Sequence, residues 1–267
     1  MKLYHLFPDL MNLYGDYGNL VVLKKALEDA GETAEIVAVH PGDGVDFADA
    51  DFLYMGPGTE PARNHALTLL QPHLDPLRTA LLDRHTPALF TGNAWSLLGQ
   101  TITLASGETV DALGLFDYTT TETRDRYTGD AIATPAGKIP SNHGKTPEMQ
   151  NKTPGNHGDA LASREASLPK QGVVGFLNRC DKVEGVTTPL FFLRMGKGND
   201  GVSPAEGFRH ENVFATHLTG PLLVKNPHLL NFFVSLLGTT PTPVDENGHP
   251  ALAWQVTLRA LQARLAK

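Results

Sequence analysis

The sequence predicts an α/β protein with a parallel sheet, because short apolar runs alternate with segments whose apolar residues recur at helical spacing. Strands are predicted at 2–7, 34–39, 51–56 and 87–91, a helix at 19–30, and helical structure over 60–83. Alternation of this kind is typical of a layered fold in which helices cover a parallel sheet. Functional residues are then expected at the carboxyl ends of the strands.

Glycine and proline support these boundaries. Gly31 directly follows the predicted helix 19–30, at the position where many helices end in a left-handed residue. Pro72 and Pro76 interrupt the helical segment 60–83, since proline cannot donate the helix hydrogen bond.

The pattern changes after residue 100. Short β-like runs predict additional, partly antiparallel strands: TITLA, LGLFDYTTT, VVGFLN, PLFFLRM and NVFATHL. Two helices follow, at 226–238 and 250–267. The second carries apolar residues at helical spacing, namely Trp254, Leu258, Leu261 and Leu265.

Residues 137–172 differ from the rest in composition. Pro, Gly, Asn and Lys dominate, and the tripeptides NHG and KTP each occur twice. Such a composition buries little apolar surface, so we interpret the segment as a long exposed loop inserted into one domain that spans 1–267. His143 and His157 could in principle bind a metal, but a solvated loop is the simpler interpretation.

Composition excludes several classes of protein. The chain has 267 residues, of which 41% are hydrophobic and 19% charged, as in an ordinary globular domain. A net charge of -7 argues against nucleic-acid binding. The single cysteine, Cys180, rules out an internal disulfide and a cysteine-rich zinc site. No secretory signal or membrane-spanning run is recognisable, so a cytoplasmic location is expected.

Two segments match phosphate-binding motifs in part, but the residues around them argue against a phosphate site. The segment GKGNDG at 196–201 matches G-x-G-x-x-G, but no helical pattern follows it, so we interpret it as a glycine-rich loop joining two strands. The segment HGKT at 143–146 lacks the earlier glycine of a phosphate-binding loop, because Ile139 stands there. The histidines show no metal-ligand spacing either, and no metal or cofactor is expected.

The stretch FTGNAWSLLGQT at 90–101 combines a strand, a tight turn and a short apolar helix. In α/β enzymes this arrangement is a frequent place for a nucleophile. Here the turn, which we call the elbow, consists of Gly92, Asn93 and Ala94, and none of these residues carries a nucleophilic side chain.

Several stretches resemble the GatD-type glutamine amidotransferase subunits of lipid II isoglutaminyl synthase, within the cobyric-acid-synthase-like branch of the class I glutamine amidotransferases. They occur in order along the chain, and much of 137–172 is the exception. The matching stretches are PDLMNLYGDYGNL (8–20), FLYMGPGTE (52–60), WSLLGQTITLASGETVDALGLFDYTT (95–120), DRYTGD (125–130), GFLN (175–178) and MGKGNDGVSPAEGFRHENVFATHLTGPLLVKNP (195–227).

The resemblance implies a flavodoxin-like core with added β-strands. It also implies hydrolysis of glutamine and delivery of ammonia to a MurT-like partner of the Mur ligase family, which amidates the D-glutamate of lipid II. This chemistry needs a cysteine thiolate at the strand–helix turn, a histidine that activates the thiol, and backbone N–H groups that hold the oxyanion.

The chain departs from the family where that chemistry would occur. The family nucleophile position is Gly92, and the family histidine position is Thr219. A third family segment, Gly-Phe-Glu-Asn-His, reads Gly175-Phe176-Leu177-Asn178-Arg179 here.

Some binding features persist in the resemblance. Arg126 matches a family arginine that binds glutamine, although it could equally be a solvated charge at a strand end. Gly58 belongs to a glycine-rich turn whose backbone amide would face the substrate, or is a plain tight turn. With Asn93 at the elbow, these residues are the predicted substrate-binding set. Asp16 and Asn19 match a family loop but are explained as N-caps of the helix at 19–30.

Other residues could replace the missing nucleophile. Ser96 and Thr91 carry hydroxyls near the elbow, and His217 shares a strand face with Thr219. We expect Ser96 to be screened by the helix and Thr91 to point elsewhere, with His217 as a packing residue. Cys180, in a polar stretch read as a loop, is expected to be a structural cysteine even though Arg179 could lower its pKa.

The favoured hypothesis is therefore a GatD-like subunit whose glutaminase machinery is degenerate and which binds a Mur-ligase-like protein. The first alternative is a working glutaminase subunit that uses a nucleophile foreign to the family. The second is a small-molecule or anion-binding protein on the same fold, with its ligand at a helix N-terminus.

Overall fold

The structure is a computed structural model that describes residues 1–136 and 168–266. The predicted insertion 137–172 lies largely outside the described residues, as do His143, His157 and the segment HGKT. Residues 168–172 are described and lead without regular structure into the next strand.

The described residues form thirteen β-strands, numbered in chain order: β1 (Lys2–Leu6), β2 (Glu35–Val39), β3 (Phe52–Met55), β4 (Ala88–Thr91), β5 (Thr101–Thr103), β6 (Thr109–Asp111), β7 (Thr119–Pro135), β8 (Val173–Glu184), β9 (Phe191–Met195), β10 (Ala205–Glu206), β11 (Phe208–His210), β12 (Val213–Thr216) and β13 (Leu218–Thr219).

They also form six α-helices: α1 (Gly18–Asp29), α2 (Glu60–Leu70), α3 (Leu74–Arg78), α4 (Leu222–Lys225), α5 (Pro227–Leu236) and α6 (His249–Leu265). Short 3₁₀ helices lie at Leu13–Gly15, Gln71–His73 and Gly92–Leu98, and a π-helical turn at Thr79–Asp83.

The first sheet has the order β11-β12-β4-β3-β1-β2. All its strands run parallel except β11, which pairs antiparallel with β12 at one edge. Counting the five parallel strands in chain order gives 2-1-3-4-5, which is the flavodoxin-like order. The predicted α/β class and the flavodoxin-like core are confirmed.

The added strands form a second sheet around the long strand β7. Strand β8 pairs antiparallel with β7 over most of its length, and β5 and β9 pair with β7 at its two ends. Strand β13 then extends β8 on its other side. The predicted partly antiparallel strands are therefore present, although LGLFDYTTT becomes a strand only from Thr119.

The parallel sheet is buried on both faces. On β4, Ala88 and Phe90 pack into one hydrophobic cluster while Leu89 packs into another. Successive side chains of a strand point to opposite faces, so a covered parallel strand is apolar throughout. This explains why 87–91 reads as a continuous apolar run in the sequence.

Helix α6, which its apolar spacing predicts to be helical, packs against the second sheet. Trp254, Leu258 and Leu261 pack with residues of β7 and β8, and the indole N–H of Trp254 donates to the carbonyl of Gly172 at 2.9 Å. Leu265, by contrast, is exposed. No helix in the described ranges combines the length and the apolar character of a membrane span.

Candidate functional site

A cavity of about 90 Å³ lies at the carboxyl ends of the parallel strands. Its floor comes from the loops that follow β1, β3 and β4, and its wall from β7 and β8. Strand order reverses between β1 and β3, and ligands of open α/β sheets bind at such a switch point. The cavity is therefore where this fold is expected to place a functional site.

A β-bulge brings Arg126 to this cavity. The β7–β8 pairing runs regularly to Glu122 opposite Asp181 and resumes with Tyr127 opposite Arg179. Four residues of β7, 123–126, therefore stand opposite the single residue Cys180. Bulges of this kind re-aim side chains and occur next to active sites.

The guanidinium of Arg126 is surrounded by polar groups of the cavity. It donates to Asn178 Oδ1 at 3.0 Å and to Glu60 Oε1 at 3.2 Å, and it lies 3.5 Å from the sulfur of Cys180. About half of its side chain (47%) remains exposed. The predicted glutamine-binding arginine thus faces the cavity, already paired with a carboxylate of the same chain.

Cys180 lies in strand β8, so the interpretation of NRCDK as a loop is wrong. Along this strand the half-buried Asn178 and Cys180 alternate with the buried Arg179 and Asp181. A polar strand at the cavity wall keeps this alternation although it lacks the apolar pattern of a core strand. The thiol donates to Glu60 Oε1 at 2.9 Å.

The surroundings of Cys180 favour its protonated form. Partial burial and the hydrogen-bonded carboxylate of Glu60 raise the pKa of this thiol to about 12, against the opposing effect of Arg126. The guanidinium of Arg179, the neighbour of the thiol in sequence, instead donates to the backbone oxygens of Asp181, Gly198 and Asn199.

Gly92 directly follows β4 and is the first residue of the 3₁₀ helix Gly92–Leu98. Its φ of +61° lies in the left-handed region, which favours glycine. A Cβ built on Gly92 would stand 2.4 Å from Cβ of Pro57, which belongs to the loop after β3. A side chain at this position, which the resemblance assigns to the nucleophile, would therefore overlap with Pro57.

Asn93 and Gly58 form a reciprocal pair in the cavity wall. The N–H of Gly58 donates to Asn93 Oδ1 at 3.0 Å, and Asn93 Nδ2 donates to the carbonyl of Gly58 at 2.9 Å. Both residues line the cavity. The Gly58 amide that the resemblance assigns to the substrate is thus already engaged.

Thr219 lies in the short strand β13 and is 1% exposed. Its hydroxyl donates to the carbonyl of Phe176 at 3.1 Å. The described lining of the cavity does not include Thr219, nor Gly92.

Asp16 is buried and joins several loops by hydrogen bonds. It caps no helix, so its interpretation as an N-cap is wrong. The residue before α1 is Tyr17, and no side chain caps that helix. Asp16 Oδ2 accepts hydrogen bonds from the hydroxyls of Thr91 and Tyr54, and Oδ1 accepts from the N–H of Gly220 at 3.0 Å. The carboxylate therefore ties together the direct neighbours of positions 92 and 219.

Burial raises the pKa of Asp16, although hydrogen bonds from Thr91, Tyr54 and Gly220 oppose the shift. Asn19 serves a similar long-range role. Its Oδ1 accepts from the N–H of Leu223 at 2.8 Å, which binds α1 to α4.

The hydroxyls considered as substitute nucleophiles are engaged elsewhere. Ser96 donates to the carbonyl of Asn93 at 2.7 Å, and Thr91 donates to Asp16. Neither residue belongs to the described lining of the cavity.

His217 lies in a buried charged cluster beneath the cavity. Its Nε2 is 3.3 Å from Asp181 Oδ1 and its Nδ1 is 3.4 Å from Glu206 Oε1. The imidazole also packs edge-on against Trp95, with ring centroids 4.8 Å apart. Within the described residues His217 is thus a packed partner of two carboxylates, in keeping with the predicted packing role.

Sequence reasoning missed Glu60, Arg63 and Glu122. Glu60 follows the glycine-rich turn at the start of α2, where an acidic residue is explained by the helix dipole. Arg63 and Glu122 form an ion pair of 2.6 Å under the cavity. A charged residue on the apolar side of a predicted helix could have pointed to Arg63.

The remaining motifs have simple positions. The segment GKGNDG joins β9 to β10, as predicted for a glycine-rich loop. In the part of the chain that the structure describes, no group of three or more His, Cys, Asp or Glu side chains is placed to hold a metal ion.

Solved structures share this fold. One described as a glutamine amidotransferase superposes with a TM-score of 0.52 at 14% identity, covering 89% of this chain and all of the other. One described as PurLQS from Thermotoga maritima superposes with a TM-score of 0.54 at 11% identity, covering 89% and 97%. The chain therefore has the flavodoxin-like class I glutamine amidotransferase fold.

Within that class, the sequence resembles the GatD subunit of lipid II isoglutaminyl synthase (glutamine-hydrolyzing). The protein of that name from Staphylococcus aureus is 24% identical over 234 residues, which cover 88% of this chain and 83% of the relative. The one from Streptococcus pneumoniae is 27% identical over 236 residues, covering 86% and 77%. No family model matches the chain.

Proposed function

We propose that this chain is a GatD-like subunit that no longer hydrolyses glutamine and acts through association with a Mur-ligase-like protein. The observation that carries this proposal is Gly92. The residue at the elbow has no side chain, and its Cβ position lies 2.4 Å from Cβ of Pro57. An acyl-enzyme needs a nucleophile at this turn and a base beside it.

The base position supports the same conclusion. Thr219 donates its hydroxyl to a backbone carbonyl and has no group that could accept a proton near neutral pH. His217 is held between two buried carboxylates. Asp16 nevertheless holds the backbone around positions 92 and 219 in place. The proposed loss of glutamine hydrolysis therefore concerns the reacting side chains and not the fold.

A glutaminase assay tests the loss of chemistry. The purified chain, alone and with a co-expressed Mur-ligase-like protein, is expected to release no ammonia from glutamine above the background of heat-denatured protein. The Staphylococcus aureus relative serves as the positive control. Ammonia release by the wild-type chain at a rate comparable with that control would falsify the proposal.

Association with a Mur-ligase-like partner is tested separately. The two chains, co-expressed and passed over a size-exclusion column, are expected to elute together in a fixed ratio. Independent elution at micromolar concentration would contradict the subunit role.

One observation favours a second candidate, a working glutaminase with a foreign nucleophile. The single cysteine of the chain lies in the cavity beside Glu60 and Arg126. Its pKa of about 12 opposes this candidate, because the thiolate is the nucleophilic form. Any ammonia release should then disappear in Cys180→Ser, which distinguishes this candidate from contamination.

A further inference from the structure

The turn between β3 and α2, residues 56–60, contacts groups that face the cavity from three other parts of the fold, namely the elbow after β4, strand β7 and strand β8. We call it the β3–α2 turn. It reaches the elbow through Pro57 and Gly58, and it reaches β7 and β8 through Glu60. Each of these contacts occupies a place that a ligand or a nucleophile would need.

Pro57 blocks the elbow. Besides the 2.4 Å approach to its Cβ, a side chain at position 92 would lie 3.2 Å from Cα and 3.3 Å from Cγ of Pro57. Proline cannot relieve this overlap by a rotamer change, because its ring fixes the side chain to the backbone. Pro57 is itself buried.

Hydrogen bonds at three of its residues fix the β3–α2 turn in position, so it cannot easily move away from the cavity. The pair with Asn93 fixes Gly58 on the elbow side. The carbonyl of Pro57 accepts from the N–H of Leu13 at 2.9 Å on the β1 side. Thr59 caps α2 by accepting from the N–H of Ala62 at 3.2 Å.

Glu60 places a carboxylate where an anionic group of a ligand would bind. One oxygen, Oε1, accepts from both Arg126 and Cys180. A guanidinium is well suited to a ligand carboxylate, but this one already has a carboxylate partner.

We propose that the β3–α2 turn is a built-in occupant of the cavity and a second obstacle to glutamine chemistry, independent of the residues at 92 and 219. This inference rests on the proposed function and extends it. It implies that restoring cysteine at 92 and histidine at 219 does not restore glutamine binding as long as Pro57 overlaps the side chain at 92 and Glu60 pairs with Arg126.

A stability cycle tests the contact of Pro57. Gly92→Ala is compared with Gly15→Ala, since Gly15 has a similar φ of +68° and nothing within 4 Å of its Cβ position. Gly92→Ala is expected to lower the urea midpoint clearly more than Gly15→Ala. In a Pro57→Gly background, which removes the opposing Cβ, the two alanine substitutions should lower it equally. If Gly92→Ala still lowers the urea midpoint more than Gly15→Ala in the Pro57→Gly background, the inferred overlap with Pro57 is wrong.

Titration with L-glutamine tests the occupancy. The wild-type chain is expected to give no binding heat, and the variant Pro57→Gly/Glu60→Gln to bind, with binding lost again on adding Arg126→Ala. Equal binding by the wild type overturns the inference, and so does the absence of binding by a folded Pro57→Gly/Glu60→Gln variant. Neither result depends on ammonia release, so failure of the proposed function remains distinguishable.

Discussion

Arg63 and Glu122 form an ion pair of 2.6 Å between α2 and β7, with only 1% and 8% of their side chains exposed. The second carboxylate oxygen of Glu122 accepts from the N–H of Ala105 at 2.8 Å. Breaking a buried pair leaves an uncompensated charge, so removing one partner costs far more than breaking an exposed pair.

Arg63→Met is therefore expected to lower the free energy of unfolding by about 3–5 kcal/mol in urea denaturation. The double variant Arg63→Met/Glu122→Gln should recover part of this loss, because glutamine is neutral and still accepts from Ala105. The exposed pair Lys25–Asp29 provides the control, and Lys25→Met should change stability by no more than ~0.5 kcal/mol. Equal changes in the free energy of unfolding for Arg63→Met and Lys25→Met would contradict the conclusion that the Arg63–Glu122 pair is a buried stabilising contact.

The thiol of Cys180 is expected to react slowly. With its pKa raised to about 12, the thiolate fraction at pH 8 falls well below that of an unperturbed cysteine. Iodoacetamide should label the folded chain at least about 100-fold more slowly than the urea-unfolded chain, since each pKa unit changes the thiolate fraction about tenfold.

Glu60→Gln gives the matched comparison, because it keeps the shape of the side chain and removes its charge. Labelling of Cys180 should then accelerate. A rate that is unchanged in Glu60→Gln would show that burial alone sets the reactivity of the thiol.

Asp16 should make stability depend on pH. Its pKa is raised by burial, so the folded state holds the proton more tightly than the unfolded state. The resulting stabilisation is present below the ordinary carboxyl value of 3.8 and is lost as the pH rises through the folded pKa. The stability of the wild type relative to Asp16→Asn should therefore be greater at pH 4 than at pH 7, as measured by urea unfolding.

Asp16→Ala should be less stable than Asp16→Asn by about 1–3 kcal/mol, because it leaves the N–H of Gly220 without its acceptor. Equal stability of the two variants would mean that water replaces the carboxylate at this junction.

Asn93→Ala is expected to free the β3–α2 turn. The substitution removes two hydrogen bonds to the backbone of Gly58, at a cost of about 2 kcal/mol. Amide hydrogen exchange at Gly58 should accelerate. Asn231→Ala, which removes one exposed bond to the carbonyl of Thr242, is the control and should leave that exchange unchanged.

The parallel core could be predicted from the sequence because its signals are local. The run 87–91 is apolar because β4 is covered on both faces. The helix predicted at 19–30 is α1, which ends at Asp29 shortly before Gly31, a residue with a φ of +92°. The order of the strands, in contrast, follows from pairings between distant segments.

The sequence predicts those features of the candidate site that depend only on which residue stands at a position, and not the contacts between distant residues. The absence of a side chain at Gly92 is visible in the sequence, but the close approach of Pro57 to its Cβ position is not. Asp16 illustrates the limit: a local helix cap explains it adequately in the sequence, whereas its partner Gly220 lies 204 residues away. Cys180 was misassigned because a polar strand at a cavity wall lacks an apolar pattern.

That long separation has a consequence for biosynthesis. The N–H of Gly220 donates to Asp16 and the N–H of Leu223 donates to Asn19, and each of these hydrogen bonds joins segments 204 residues apart. A nascent chain emerges from its amino terminus, so the loops around the cavity leave the ribosome long before the residues that fasten them. Until β12 is made, β4 is an open sheet edge, so we expect the nascent chain to be prone to chaperone capture or misassembly during that interval.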